Sequence, residues 1–551
     1  MDRITISLEG KRTDIARNTG IESLFEPSML RGYSSDTIVA ATVNGVIRRL
    51  DHPAEENSEI NPVRLFSPLG KRVYRKTLCF LLSYASSVIY PDRSLIIGHS
   101  LGDGFYFHYK DQEAIDASRL RKAMEKAIRE DRKVSLTTLP HGAALEYLRS
   151  HSMEETAKLL ESRNDSSYSF SALDGYLELE TEPIVPNLGI LEVWDLMEYR
   201  DGILLRYPQS RSYDRIRPFE DNPKLFDVFC QNKNMGKRLE LESLGALNLK
   251  QRDGDIQRAI RLEEESQRNR IAEIAERIAS KGSVKAVFIA GPSSSGKTTF
   301  SLKISEQLIL RGLRPIKISL DDYYLPPDQV PLDEDGKADF EVMEALDLKC
   351  LREQIGSLIM GRDVHLASWD FAEKKRTFSE KACRMDDSSV LVIEGIHGLN
   401  PALLPDLGED MKFRIYISAL TQLNLDTRSR ISTTDNRILR RMIRDNRTRG
   451  LDAVETLTRW PSVERGEKNH IFPLQNMADE MINSALSYEI GVLAPFAIPL
   501  LRSVGREHGD AYTNARRLLS FLELVYPIQS SLVPEDSIIR EFIGGSVFSV
   551  T

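Results

Sequence analysis

Cysteine is scarce, with four residues in 551, and Cys79, Cys230, Cys350 and Cys383 are too scattered to form a CxxC pair or to share zinc-ligand spacing with histidine. Free, buried thiols in a reducing compartment are the expectation. Long apolar runs are missing as well. The longest, GVLAPFAIPLL at 491–501, is too short to span a bilayer, and the opening MDRITISLEGKRT carries charge with no long apolar core behind it. This predicts a soluble, cytoplasmic protein. Nor is there an excess of positive charge: Lys plus Arg number 74 against 82 Asp plus Glu, a net charge of −8. That balance excludes a chain-wide basic surface for non-specific nucleic-acid binding, so any phosphate or RNA site must be local. Internal repeats and low-complexity tracts are absent too.

What is present suits several packed cores. Hydrophobic residues make up 41% and charged residues 28% of the chain, ordinary globular usage. At about 100 to 200 residues per domain the length points to three or four domains. Residues 1–66 alternate short β-rich runs such as ITISLEG and TIVAATVNGVIRRL with turn residues, as in a small β-grasp module. Residues 67–225 mix helical periodicity (RKTLCFLLSYASSVIY) with short β patterns (GFYFHY, GYLELE), an α+β domain. Residues 226–282 read as a polar, irregular linker followed by a charged amphipathic spacer helix whose apolar seam is too short for a coiled coil. Across 283–505 β runs alternate with helices (VKAVFIA, PIKISL, VLVIEG, KFRIYIS), which predicts a multidomain α/β chain whose parallel sheet carries helices on both faces. Residues 506–551 form a helical extension and tail. Ligands of such a sheet belong at the carboxyl ends of its strands.

The strongest signal lies there. The strand VKAVFIA runs into GPSSSGKTT, residues 291–299, and then into a helical segment, so GxxxxGK[ST] stands in the strand-loop-helix context it requires. Gly291 and Gly296 permit backbone conformations and a close approach that side chains would block. The amides of Pro292's successors Ser293, Ser294 and Ser295, with those of Gly296 to Thr299, can then face phosphate oxygens at a helix N-terminus. Lys297 would add a positive charge at the β and γ phosphates, and Thr298 a hydroxyl for Mg²⁺.

Two further strands end in acids. PIKISL leads to Asp321-Asp322-Tyr323-Tyr324, placing a carboxylate where an acceptor hydroxyl could lose its proton; helix capping is the structural alternative. VLVIEG ends at Glu394, a position from which a carboxylate can organise the Mg²⁺ shell. Past KFRIYIS, residues 437–449 hold six arginines and one aspartate, a local charge of +5, with Arg437, Arg440, Arg441 and Arg444 able to share a helical face. Such crowding favours a lid over a triphosphate, with a solvated helix face or an RNA-binding stripe as the alternatives.

From about 284 to 485 the chain resembles the uridine kinase and phosphoribulokinase family of P-loop kinases, on GPSSSGKTT, ISLDDYY, ADFEVMEALD, SWDFAEKKR, VIEGIHGL, RRMIRDNRTRG and FPLQNMADEMIN. The resemblance implies ATP and Mg²⁺ as cofactors, Asp321 as the base and Tyr324 beside the acceptor. Glu341 falls where an acid contacts the ribose, Trp369 where an aromatic lies against the base, and Glu394 at the Mg-associated acid. Arg440, Arg441, Arg444 and Arg449 match lid arginines, of which Arg440 and Arg444 are expected on ATP and Arg441 and Arg449 on the acceptor. In this chain the family's pyrimidine-reading His is replaced near Lys374, and Leu451 follows the lid glycine where the family has Arg.

The front half resembles threonyl-tRNA synthetase: a TGS-type β-grasp module and an editing-like domain, recognisable in LIIGHSLGDGFYFHY and EPIVPN. The positions of that family's His/His/Cys/His set read Lys76, Phe80, Glu180 and Ile184, so neither deacylation nor zinc is expected. The tail SIIREFIGGS at 537–546 occurs with this arrangement in bacterial nucleoside kinases. The expected activity is ATP-dependent transfer of a γ-phosphoryl group to a nucleoside-like hydroxyl acceptor. An RNA- or ribosome-associated regulatory ATPase, and a kinase of a non-nucleoside metabolite, are the alternatives. An oligomer is compatible with all three.

Overall fold

The computed structural model describes residues 3–111, 113, 115–163, 165–208, 213–334, 336–370 and 375–548. Lys374 and the residues just before it, where the pyrimidine-reading position falls, lie outside them. No described helix is long and apolar enough to cross a membrane.

At the front, strand Arg3–Leu8 turns Ile4 and Ile6 inward on alternate positions, pairs antiparallel with Lys11–Ala16 and runs parallel to Ser58–Arg64. A five-stranded sheet results, closed on a small core with Ile21, Ile38, Leu50 and Ile60. Ser67 then caps the long helix Pro68–Ile89, its hydroxyl accepting from the Gly70 amide, with Pro68 at the first helical position. This helix packs against a four-stranded and a three-stranded antiparallel sheet, giving the α+β second domain. Cys79 is buried in it; Cys230, Cys350 and Cys383 are free but only half-buried.

The stretch expected to be irregular is helical. Pro223–Leu239 and Leu244–Asp253 are helices, followed by Ile256–Lys281. Local propensity in QNKNMGKRLE is poor, but Leu225, Phe226, Val228 and Phe229 bury against Tyr106, Tyr199 and Leu204, and tertiary packing prevails over propensity.

In the second half, five parallel strands are ordered Arg314–Ser319, Ser389–Glu394, Ala286–Ala290, Lys412–Ser418, Glu480–Asn483. The strand leading to the phosphate loop is therefore central and fully buried. Its alternate residues serve two cores: Val287 and Ile289 meet helices Ile256–Lys281 and Lys297–Ile309 on one face, while Ala286 and Phe288 meet helix Leu348–Ile359 on the other.

The two halves are joined by polar contacts. Lys76 Nζ pairs with Glu178 at 2.8 Å and donates to Ser429 Oγ at 3.0 Å. Asp435, at the start of helix Thr433–Arg449, accepts from Arg72 at 3.2 Å and from Arg517 at 2.8 Å. Of the other three editing-like positions, Phe80 and Ile184 are buried in the domain core and Glu180 lies 3.6 Å from Arg49.

Candidate active site

The phosphate loop leaves the central strand at Gly291, where a Cβ would lie 1.9 Å from the Ile417 carbonyl, so no other residue fits. Ser294 (φ +58°) and Gly296 (φ +83°) take left-handed conformations that turn successive amides toward one concavity at the N-terminus of helix Lys297–Ile309. The Pro292 carbonyl tightens the loop by accepting from the Ser295 amide at 3.2 Å. Ser294 and Ser295 are buried, and their hydroxyls have no hydrogen-bond partner among the described residues. Lys297 folds back over the loop, donating to the carbonyls of Gly291 at 3.0 Å and Pro292 at 3.2 Å, and burial lowers its pKa. Thr298 turns its hydroxyl to Glu394, at 3.4 Å. Thr299 faces the opposite way: its amide and hydroxyl both donate to Glu541 of the tail, at 3.1 and 2.8 Å.

Parallel register brings the acids to this edge. Glu394 stands beside Ser319 and Ile289 on the neighbouring strands and accepts from Ser319 Oγ at 3.0 Å. Burial first, and then the charge of Asp321, push its pKa up to about 7. Asp321 and Asp322 occupy the 3-10 turn Leu320–Tyr323 that follows the second strand. They differ in engagement. Asp322 accepts from the Trp369 amide at 2.8 Å, whereas Asp321 is exposed and without a hydrogen bond or ion pair among the described residues. Its field reaches Lys297, Tyr324, Glu394 and Arg449. Arg376 braces this turn, donating to the Tyr324 carbonyl at 2.9 Å and pairing with Asp347 at 2.6 Å.

The far wall holds the acceptor candidates. The Tyr324 hydroxyl donates to the Phe340 carbonyl at 3.1 Å, and the rings of Tyr324 and Phe340 meet edge-on at 5.6 Å. Next to Phe340, Glu341 has a buried Oε2 without a partner, and burial together with nearby Glu467 lifts its pKa to about 7 against the pull of Arg441 and Lys297. Trp369 is half-buried on the hairpin strand Ala367–Asp370, tied to the acidic turn through Asp322.

The arginine run forms helix Thr433–Arg449, closed by Gly450 in the left-handed region. Apart from Arg447, which donates to the Glu541 and Phe542 carbonyls of the tail at 2.9 and 3.2 Å, its arginines divide into two sets. Arg440 is 0% exposed and locked: it pairs with Glu489 and donates to the Ser484 and Ser294 carbonyls at 3.0 and 3.3 Å. Arg437 pairs with buried Glu467 and donates to the Ser293 carbonyl at 2.8 Å. These two grip the back of the loop and are placed as its supports, not on its concave side. Arg441, Arg444 and Arg449 gather around one buried carboxylate, Asp445, leaving a local excess of two positive charges at the rim. Arg441 also donates to Ser293 Oγ at 3.0 Å.

Several groups that shape the site carry no signature in the sequence. Glu467 accepts from the Ser293 amide at 3.0 Å, Glu489 anchors Arg440, and Glu541 caps Thr299. Asp445 alone was visible as the single acid in the arginine run. The 537–546 motif stands out in the sequence without indicating where it packs: the Ile538 side chain lies 2.4 Å from where a Cβ on Gly296 would sit, so the tail closes over the rear of the loop.

A phosphate loop at the end of a central strand of a parallel sheet, with an acid at the end of the adjacent strand, has the geometry of a P-loop nucleotide-binding site. Residues 286–490 of the chain match the model of the Phosphoribulokinase / Uridine kinase family. Among its relatives is a uridine kinase of Macrococcus caseolyticus, 29% identical over 205 residues, which are 37% of this chain and 90% of that protein. The front half is similar to the threonine–tRNA ligase of Acetivibrio thermocellus, 26% identical over 182 residues, 32% of this chain; the chain spans only 29% of that ligase's length. A solved structure of a possible uridine kinase from Bacillus stearothermophilus aligns over 36% of this chain and 89% of its own, at 16% identity and a TM-score of 0.25.

Proposed function

We propose that the chain is an ATP- and Mg²⁺-dependent kinase that transfers a γ-phosphoryl group to a hydroxyl of a small molecule, with a nucleoside of the uridine or cytidine type as acceptor. One observation carries the reading: an exposed carboxylate, Asp321, without a hydrogen bond or ion pair among the described residues, acts electrostatically on both Lys297 and Glu394 at the mouth of a phosphate loop. A hydrolytic ATPase would use such a carboxylate to activate water, and the acceptor assay below separates the two.

Asp321 accepts the proton of the acceptor hydroxyl as that oxygen attacks the γ phosphorus and ADP departs. Asp322 orients the turn through Trp369. The loop amides and Lys297, released from its carbonyls, hold the β and γ phosphates, while Arg441, Arg444 and Arg449 meet charge spreading over the transferring group. Arg437 and Arg440 act through the loop backbone. The hydroxyl of Thr298 and the carboxylate of Glu394 are hard oxygen donors, as Mg²⁺ requires, and would hold it. Bound there, the ion supplies Lewis-acid neutralisation of phosphate charge. Glu341, Tyr324 and Trp369 form the acceptor wall, with the unpartnered Glu341 Oε2 placed to receive a ribose hydroxyl.

The family match and the uridine kinase relative support a nucleoside; Leu451, in place of a lid arginine, favours testing other alcohols beside it. Incubation with labelled ATP, Mg²⁺ and a panel of nucleosides, sugars and polyols separates the cases. Labelled uridine or cytidine monophosphate is expected. Label on a sugar or polyol alone would overturn the acceptor and keep the chemistry, and ATP turnover driven only by RNA would overturn both.

A further inference from the structure

Between the two halves of the chain lies a cavity of about 320 Å³, within the size range of small-molecule sites. Its walls come from strand Leu95–Leu101, helix Pro223–Leu239 and the connection between strand Lys412–Ser418 and helix Thr433–Arg449. Four cations line it: Lys110, Lys233, Lys237 and Arg430. None of their side chains has a hydrogen bond or ion pair among the described residues; the nearest partner of Arg430 is the ring of Phe105, at 5.5 Å. Burial lowers the pKa of Arg430 to about 10, and burial together with Lys237 brings Lys233 down to about 7.

Four acids share the lining, Glu154, Glu155, Glu242 and Asp426, and Lys110 is exposed, so the excess of positive charge is local to Lys233, Lys237 and Arg430. Glu155 is taken by Lys158 at 2.7 Å and Ser243 at 2.5 Å, and Glu154 is exposed. Asp426 Oδ1 accepts from the amides of Arg428 and Ser429 at 2.8 and 2.7 Å, which leaves Oδ2 buried and unpartnered. Glu242 offsets Lys233 less than Lys237 opposes it. Neutral polar groups are stranded too: both amide atoms of Gln422 and the Thr421 hydroxyl are buried with no hydrogen-bond partner among the described residues. On the other side Phe229 stacks on His99 at 3.6 Å; burial, Arg430 and Lys233 all disfavour the charged imidazole. Water could satisfy Gln422, but it would not neutralise clustered cations.

We infer that this cavity binds a small anionic metabolite, with a phosphate-ester or carboxylate group seated on Arg430 and Lys233 and a flat, hydrogen-bonding body read by Gln422 against Phe229. The wall carrying Gln422 and Arg430 continues into the helix whose Arg437 and Arg440 hold the loop carbonyls of Ser293 and Ser294. An occupant therefore touches the segment that supports the phosphate loop.

Crystals of the full chain soaked in tungstate, a tetrahedral dianion with a strong anomalous signal, test the site directly. A peak against Arg430 and Lys233 is expected, whether or not a second peak fills the phosphate loop, so the inference and the kinase reading stand or fall separately. In solution, glycerol 3-phosphate and malonate are titrated into wild type, Arg430→Met and Lys233→Met by calorimetry. Taking the difference from wild type removes any contribution of the phosphate loop, and the stronger binder tells a phosphate ester from a carboxylate. At least a tenfold loss of affinity is expected in either variant, with the ligand-free melting temperature unchanged or raised, because a half-buried cation crowded by like charge has been removed. Tungstate on surface lysines only, equal affinities in all three proteins, or binding of RNA in place of both small anions would overturn the inference.

Discussion

Glu394 and Asp321 show how two acids at one strand edge come to differ. Glu394 is half-buried beside Thr298 and Ser319, and its desolvation with the charge of Asp321 raises its pKa to about 7, against 4.5 for an exposed glutamate. The sign follows from linkage. Between those values the folded protein binds more protons at this site than the unfolded one, so burial of Glu394 lowers stability as pH rises from about 4.5 to about 7. Binding of a divalent cation requires the ionised form. The affinity for MgADP is therefore expected to fall by up to about tenfold per unit below pH 7 and to level off above it, with proton release that calorimetry in buffers of different ionisation enthalpy detects. Glu394→Gln should weaken binding and flatten that slope; an unchanged slope would place the titrating group elsewhere. At this scale the loop was readable from the sequence because GPSSSGKTT is contiguous and its chemistry is local. Glu467, Glu489 and Glu541 were not: each reaches the loop or its arginines across the fold, and an isolated glutamate in a helix or tail looks like any solvated acid.

Helix Thr433–Arg449 is the element that converts charge into geometry. Read as sequence it is an arginine-rich stripe; folded, it buries Arg437 and Arg440 against loop carbonyls and presents Arg441, Arg444 and Arg449 around Asp445. Periodicity gives a common face but not which side of that face is buried, since the partners Glu467 and Glu489 arrive from later elements. Arg440→Met leaves Glu489 buried without its cation, which is expected to cost about 3 to 5 kcal/mol in urea unfolding. The double variant Arg440→Met/Glu489→Met should recover most of that loss while MgADP affinity stays low, because the Ser294 carbonyl remains ungripped. Full recovery of affinity would show that Arg440 only balances charge. The same contrast separates the strands from the linker. VKAVFIA and VLVIEG were legible as buried runs, while helix Pro223–Leu239 owes its existence to aromatic side chains on the second domain, a contact no local window contains.

Across the whole molecule, the synthetase-like front and the kinase-like half share Asp435, which Arg72 holds from one side and Arg517 from the other. These guanidiniums outweigh burial and take its pKa from 3.8 to about 2. A depressed acid stabilises the fold above its unfolded pKa, a contribution of about 2 kcal/mol that is lost as pH falls from about 4 to about 2. Asp435→Asn should remove that stabilisation at neutral pH and split a single calorimetric melt into two; a single, unshifted transition would mean the halves are held by other contacts. The parallel sheet and its phosphate site were foreseeable as a module, but the docking of one half on the other was not, since it depends on pairs such as Lys76 and Ser429 that are far apart in sequence. Phosphoryl transfer itself is tested most directly by comparing wild type with Asp321→Asn at saturating MgATP and acceptor. The predicted result is a fall in kcat of about 10² to 10⁴-fold with MgATP affinity within about twofold of wild type. Undiminished transfer in the variant, or loss of MgATP binding along with it, would contradict a base at Asp321.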